Sequence, residues 1–155
     1  MGRFLGIDYG EKRIGLAFGD ELGMAYPIEP ATQHDEAARL SGIAEVVKRR
    51  RVEAIVVGYP YNMNGSVGFK AREVDEFILR LEAVVDLPIH RMDERLTTIA
   101  VQQGMEETGR KGKRDRKVRA SGEIDSRAAA LILQDYLDAN GLSATTLPDE
   151  PLEED

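Results

Sequence analysis

Apolar positions along this chain recur with a period of two in some blocks and of three to four in others, so strands and helices alternate. Residues 3–9 (RFLGIDY) and 12–19 (KRIGLAFG) read as two strands joined by a turn at Gly10-Glu11. A third strand is expected from Ala25 to Thr32, where Pro27 and Pro30 mark an edge or an irregular strand. Asp35 is placed to cap a helix, and Ala37, Leu40, Ile43, Ala44 and Val47 then recur at helical spacing up to Lys48. Residues 53–58 (EAIVVG) are a continuous apolar run of the kind buried on both faces of a parallel sheet.

After the polar loop PYNMNGSVG, a helix is expected with Val74, Phe77, Ile78, Leu81 and Val85 on one face. Pro88 to Met92 reads as a short strand that ends at the acidic pair Asp93-Glu94, and Thr97 or Thr98 can cap a further helix running toward Gly109. Residues 109–121 carry no apolar period and are expected to form a mobile basic loop. The last helix, Ile124 to Ala139, should turn Ala128, Leu131, Ile132 and Leu137 inward and stop at Asn140-Gly141. The order βββαβαβαα predicts one α/β domain over residues 1–141, a mixed five-stranded sheet flanked by helices, followed by a disordered acidic tail over 142–155.

Length and composition agree with this picture. A chain of 155 residues fits one domain and can bury a real core without staples. Cysteine is absent, which rules out disulfides, thiolate metal sites and cysteine nucleophiles and fits a reducing cytoplasm. The opening residues lack the pattern of a signal peptide and no run has the length of a membrane span, so a cytoplasmic protein with no membrane partner is expected. The net charge of −7 argues against a polyanionic partner until its distribution is considered. Residues 109–121 hold seven Lys or Arg against one Asp, a local balance of +6, while residues 149–155 hold five acids and no base. Local field steers a polyanion more than the total does.

The candidate chemistry lies in three short acidic motifs: Asp8 in GIDYG, Asp93-Glu94 in MDERLTT and Asp125 in EIDSRAAA. Each falls where a strand ends or a helix begins, so the fold can gather their carboxylates at one edge of a sheet. Clustered carboxylates repel unless protonated or neutralised by cations. Period-two alternation puts Asp8 on the strand face of Phe4 and Gly6, and Gly6 and Gly10 leave space beside it. An acid on a first, apolar strand is costly without a partner or a metal; the plainer reading is a surface acid at a strand end. Asp93 and Glu94 are adjacent and point to opposite faces of an extended strand, so only one should reach a shared site. Glu94 is preferred, with Asp93 as a structural partner, for example to Arg95. Asp125 with Ser126 is equally well placed for an ordinary helix cap.

Four segments, GIDYGEKRIGLA, VVGYPYNMNGSVG, DERLTT and IDSRAAALILQDYL, occur in an order and spacing that resemble the YqgF/RuvX family of pre-16S ribosomal RNA nucleases and Holliday-junction-resolvase-like proteins. The similarity covers about residues 3–139. Tyr59 and Asn64 depart from the Leu and Asp more usual in that family. The resemblance implies a ribonuclease H-like fold and an acidic site made of Asp8, the Asp93-Glu94 pair and Asp125, with Asp8, Glu94 and Asp125 as the ligands of Mg²⁺ or Mn²⁺. Such ions favour carboxylate oxygens, and a pair about 3.5–4 Å apart supports in-line attack on a phosphodiester.

The implied partner is nucleic acid, either precursor ribosomal RNA cut at the 5′ end of 16S during ribosome biogenesis, in contact with ribosomal precursor particles, or branched DNA. The protein would act as a monomer or, on a four-way junction, as a homodimer. Contacts to the bound strand are expected from Arg13, Arg95, the loop residues Asn62, Asn64, Gly65 and Ser66, and Arg114, Arg116, Lys117 and Arg119 of the basic segment. For Arg13 and Arg95 the plainer alternative is a salt bridge to the same acids. His34 and His90 fit no metal spacing and read as structural. Tyr9, Tyr59 and Tyr61 can stack on bases, or pack. Two rival classes compete: a phosphotransferase of the actin-like or sugar-kinase type, which needs two such domains and finds room for one, and a non-catalytic RNA-binding ribosome-assembly factor.

Overall fold

The computed structural model describes residues 2–60, 68–93 and 123–142. The expected helix after Thr97 or Thr98, the basic loop 109–121 and most of the acidic tail lie outside these residues. The described elements follow the sequence order: β1 (Phe4–Asp8), β2 (Ile14–Gly19), β3 (Ala25–Ala31), α1 (Glu36–Arg50), β4 (Ala54–Tyr59), α2 (Phe69–Glu82), β5 (Ile89–Asp93) and α3 (Glu123–Ala139). The five strands form one mixed sheet, as expected, and their order in it is β3-β2-β1-β4-β5. β1 runs antiparallel to β2, with Phe4 opposite Gly19 and Asp8 opposite Gly15. It runs parallel to β4, which in turn is parallel to β5. β3, with its two prolines, is an edge strand.

The two faces of the sheet bury different kinds of side chain. Leu5, Ile7, Ile14, Leu16, Ile55 and Val57 face α1 and α2 and pack with Leu40, Ile43, Val74, Phe77, Ile78 and Leu81. The opposite face is built from small residues at alternate positions, and α3 lies on it. Ala17 and Val56 pack there against Ala129, Ile132, Leu133 and Leu137. Gly6 and Gly15 show why small residues are required. A Cβ on Gly6 would stand 2.8 Å from Leu133 Cβ and 2.9 Å from the Ala129 carbonyl oxygen. A Cβ on Gly15 would overlap the carbonyl group of Asp125. The first turn of α3 therefore rests backbone to backbone on β2.

Local signals account for the helix ends. Asp35 Oδ1 accepts from the Ala38 N–H at 2.8 Å, the expected cap. α1 continues two residues past Lys48, and Arg51 closes it in the left-handed conformation at φ 56°. α3 stops before Gly141, whose φ of 68° fits the expected terminator. One inward-facing prediction needs correction, and one member of the helical apolar pattern is not covered. Ala37 of α1 is exposed. On α3 the buried stripe is Ser126, Ala129, Ile132, Leu133 and Leu137, while Leu131 is exposed and Ala128 only partly covered. The rotation is set by the helix start: Ser126 is 2 % exposed and its Oγ accepts from the Leu16 N–H at 3.2 Å, which fixes which side of α3 meets the sheet. Among the described residues, no helix is long and apolar enough to cross a membrane.

Candidate functional site

β1 delivers Asp8 to the C-terminal edge of the parallel strands. Alternation places it on the α3 face with Gly6, whose missing side chain points at Leu133, and with Phe4, which packs against Tyr136 at 6.0 Å between ring centroids. Asp8 is opposite Gly15, and Gly15 is where the Asp125 backbone touches β2. The two acids, 117 positions apart in the chain, are thus brought to one place by a glycine between them. Both line a cleft of about 250 Å³ together with Tyr9, Gly10, Gly58, Pro60, Lys70, Glu73 and Val74.

Asp125 lies inside the first turn of α3, which begins at Glu123, so it is not the helix cap that the sequence equally allowed. Its Oδ2 accepts from Arg13 Nε at 3.2 Å. Arg13 stands just before β2 rather than on it, and its guanidinium is engaged with an acid of the cleft. Both partners are partly exposed, so the pair orients more than it stabilises, at about 1 kcal/mol or less. It uses one oxygen of Asp125.

Asp93 ends β5 opposite Tyr59. It follows Arg91 by two residues and so shares its face, and Arg91 donates through Nη2 to Asp75 Oδ1 on α2 at 2.9 Å. Tyr59 Oη donates to the other oxygen of Asp75 at 2.8 Å. Asp93 therefore lies on the α2 side of the sheet, away from the face that carries Asp8 and Asp125, and is not among the residues lining the cleft. Glu94, Arg95, Asn62, Asn64, Gly65, Ser66, Arg114, Arg116, Lys117 and Arg119 lie outside the described residues, as does Tyr61.

Tyr9 and Tyr59 both make packing contacts. Tyr59 is buried, and Tyr9 stacks on Phe77 at 4.6 Å between centroids. Burial pushes the Tyr9 hydroxyl pKa above its ordinary value; Glu36 and Glu73 push the same way, against Arg80. His90 stacks on Tyr136 at 5.4 Å, a structural role as expected.

Sequence reasoning missed Lys70 and Glu73. The signal was present: in a parallel β-α-β unit the helix begins at the C-terminal edge of the strand before it, and ligands bind at that edge. The first two turns of the helix after β4 had to overlook Asp8. Among the described residues no three His, Asp or Glu converge closely enough to hold a metal ion. Asp8 and Asp125 supply two hard oxygen donors.

The fold is shared with RuvC of Thermus thermophilus, alone (18% identity, 90% of this chain and 97% of that one, TM-score 0.51) and "in complex with Holliday junction substrate" (19% identity, 90% and 95%, TM-score 0.51). It is thus ribonuclease H-like. Relatives named "Putative pre-16S rRNA nuclease" match over nearly the whole chain. That of Opitutus terrae is 47% identical over 137 residues, 88% of this chain and 91% of its own. That of Moorella thermoacetica is 44% identical over 140 residues, 90% and 96% respectively. A family model described as "RuvX: Holliday junction resolvase" matches residues 2–139, and the chain belongs to that family.

Proposed function

We propose that the chain is a cytoplasmic, metal-dependent endonuclease that acts on structured nucleic acid, and that its substrate is precursor 16S ribosomal RNA, cut at the 5′ end during ribosome biogenesis. One observation carries the reading. Asp8 and Asp125 meet across Gly15 on one cleft at the edge of the sheet, in a chain whose relatives bear the name of a nuclease.

The donor chemistry of the cleft suits Mg²⁺ or Mn²⁺, both of which prefer carboxylate oxygen. Asp8 and Asp125 would hold the ion, with Glu94 as the third ligand. The face occupied by Asp93 supports Glu94 over its neighbour. When bound, the ion supplies Lewis acidity at the phosphodiester and makes water a competent nucleophile near neutral pH. The chain's own residues do the arranging. Gly15 lets the Asp125 backbone reach β2, Ser126 locks the rotation of α3, and Arg13 fixes the Asp125 carboxylate in one orientation.

The family description favours a second reading, resolution of a four-way DNA junction by a homodimer. The experiment is cleavage of a precursor-16S-like RNA and a four-way junction side by side, with Mg²⁺ and with Mn²⁺, alongside a measurement of solution mass. Metal-dependent cutting of the RNA is the expected result. Cutting of the junction alone by a dimer would replace the RNA by branched DNA. Binding without cutting of either, by purified wild-type protein, would leave a ribosome-assembly factor in the place of the enzyme.

A further inference from the structure

The wall of the cleft opposite the carboxylates is made by α2, and it has not been assigned a role. We propose that Lys70 is the residue that grips the backbone of the bound strand, by holding a phosphodiester oxygen beside Asp8 and Asp125. This rests on the nucleic-acid reading of the cleft. Of the described side chains lining it, Asp8, Glu73 and Asp125 are acids and Lys70 is the one cation. Without a counter-charge such a wall repels a phosphate. Arg13 is not among the residues lining the cleft, and its Nε donates to Asp125.

Lys70 is exposed and makes no ion pair among the described residues. That is informative because Glu73 stands three residues later on the same helix, a spacing at which Lys and Glu can pair. Both line the cleft, yet no salt bridge joins them. The ammonium is therefore available to an incoming anion. Its stem is anchored by a rigid element: Ala71 and Val74, on either side of Glu73, are buried in the core beneath α2. The first turn of α2 also carries no acid to compete for the ammonium.

The test is binding of the full-length protein to a single-stranded RNA oligonucleotide and to a four-way DNA junction, without divalent metal, over a range of salt. Lys70→Ala is expected to weaken binding about tenfold at low salt, as loss of one charge-assisted contact does. It should also flatten the log–log salt slope by about 0.7 on the single strand or 0.9 on the duplex arms, the share of one neutralised phosphate. Lys70→Arg should restore both, and Glu73→Gln should tighten binding by removing a like charge. In the cleavage assay with Mg²⁺, Lys70→Ala should raise KM and leave kcat within about twofold. Unchanged affinity and slope in Lys70→Ala would overturn the assignment, as would weaker binding in Lys70→Ala and Glu73→Gln alike, which marks damage to α2. A wild-type protein that binds but does not cut defeats the nuclease reading and leaves the salt slopes able to decide on Lys70.

Discussion

Gly15 is the position where fold and site depend on the same atom count. The Asp125 backbone rests on it, and Asp8 is its cross-strand partner. A methyl group there has no flexible side chain to displace, only the peptide of α3. Gly15→Ala is expected to cost about 1–3 kcal/mol, as overpacking does, and to lower cleavage further because α3 must back away and carry Asp125 with it. Urea unfolding and a cleavage rate on the same preparation separate the two effects. A variant as stable and active as wild type would mean that α3 does not sit where the structure puts it. The acids behave differently. Asp8→Asn and Asp125→Asn should abolish cleavage while keeping nucleic-acid binding, whereas Asp93→Asn, on the other face, should be milder. Asp8→Asn should also remove the rise in melting temperature on adding Mg²⁺, since a ligand at 100 times its Kd stabilises a native protein by about 2.7 kcal/mol. Wild-type cutting by purified Asp8→Asn would end the metal-nuclease reading.

The elements couple to the cleft through Tyr9, one residue beyond β1. Its ring stacks on Phe77 of α2, and its hydroxyl lies in the field of Glu36 of α1 and of Glu73 and Arg80 of α2. Arg80 Nη2 in turn donates to Glu36 Oε2 at 3.0 Å, tying the two helices together. Burial holds the Tyr9 pKa above the ordinary 10.0, so the unfolded chain ionises first as pH rises. The stabilisation from the neutral phenol is complete below pH 10 and is lost as pH climbs through the folded value. Tyr9→Phe should therefore flatten the decline in melting temperature above pH 10 relative to wild type, read by circular dichroism across pH 9 to 11. A decline of equal steepness in both proteins would show that Tyr9 does not titrate in that window.

The same elements show what a linear sequence can reveal. The five strands and their order along the chain, the Asp35 cap, the buried face of α2 and the placement of Asp8 with Gly6 follow from short-range periodicity, and all of them hold. The phase of α3 did not follow, because its stripe of apolar residues is wide enough to allow two rotations. The observed rotation comes with tertiary contacts that the sequence does not display: the close approaches at Gly6 and Gly15 and the hydrogen bond from Leu16 to Ser126, 110 residues apart. Lys70 and Glu73 were passed over for a related reason: each is an ordinary helical surface residue until β4 and α2 are docked against the end of β1.

At the scale of the molecule the charge pattern sets a problem that the cleft alone does not solve. The chain carries −7 overall, yet a polyanion has to approach a cleft that is itself acidic. Arg3, Arg13, Arg80 and Arg91 are each paired with an acid in the described structure, which cancels much of their far field. The unbalanced positive charge of the sequence is concentrated in residues 109–121, with seven basic residues against Asp115. If that segment supplies the long-range attraction, its contacts follow the phosphate backbone and are indifferent to base identity. Replacing Arg114, Arg116, Lys117 and Arg119 with Ser should weaken binding to all sequences alike. It should also flatten the salt slope by up to about 0.9 per lost duplex contact or 0.7 on a single strand. Melting temperature without nucleic acid serves as the control for folding. Unchanged affinity at low salt would remove the segment from the interface and leave the cleft to recruit its substrate unaided.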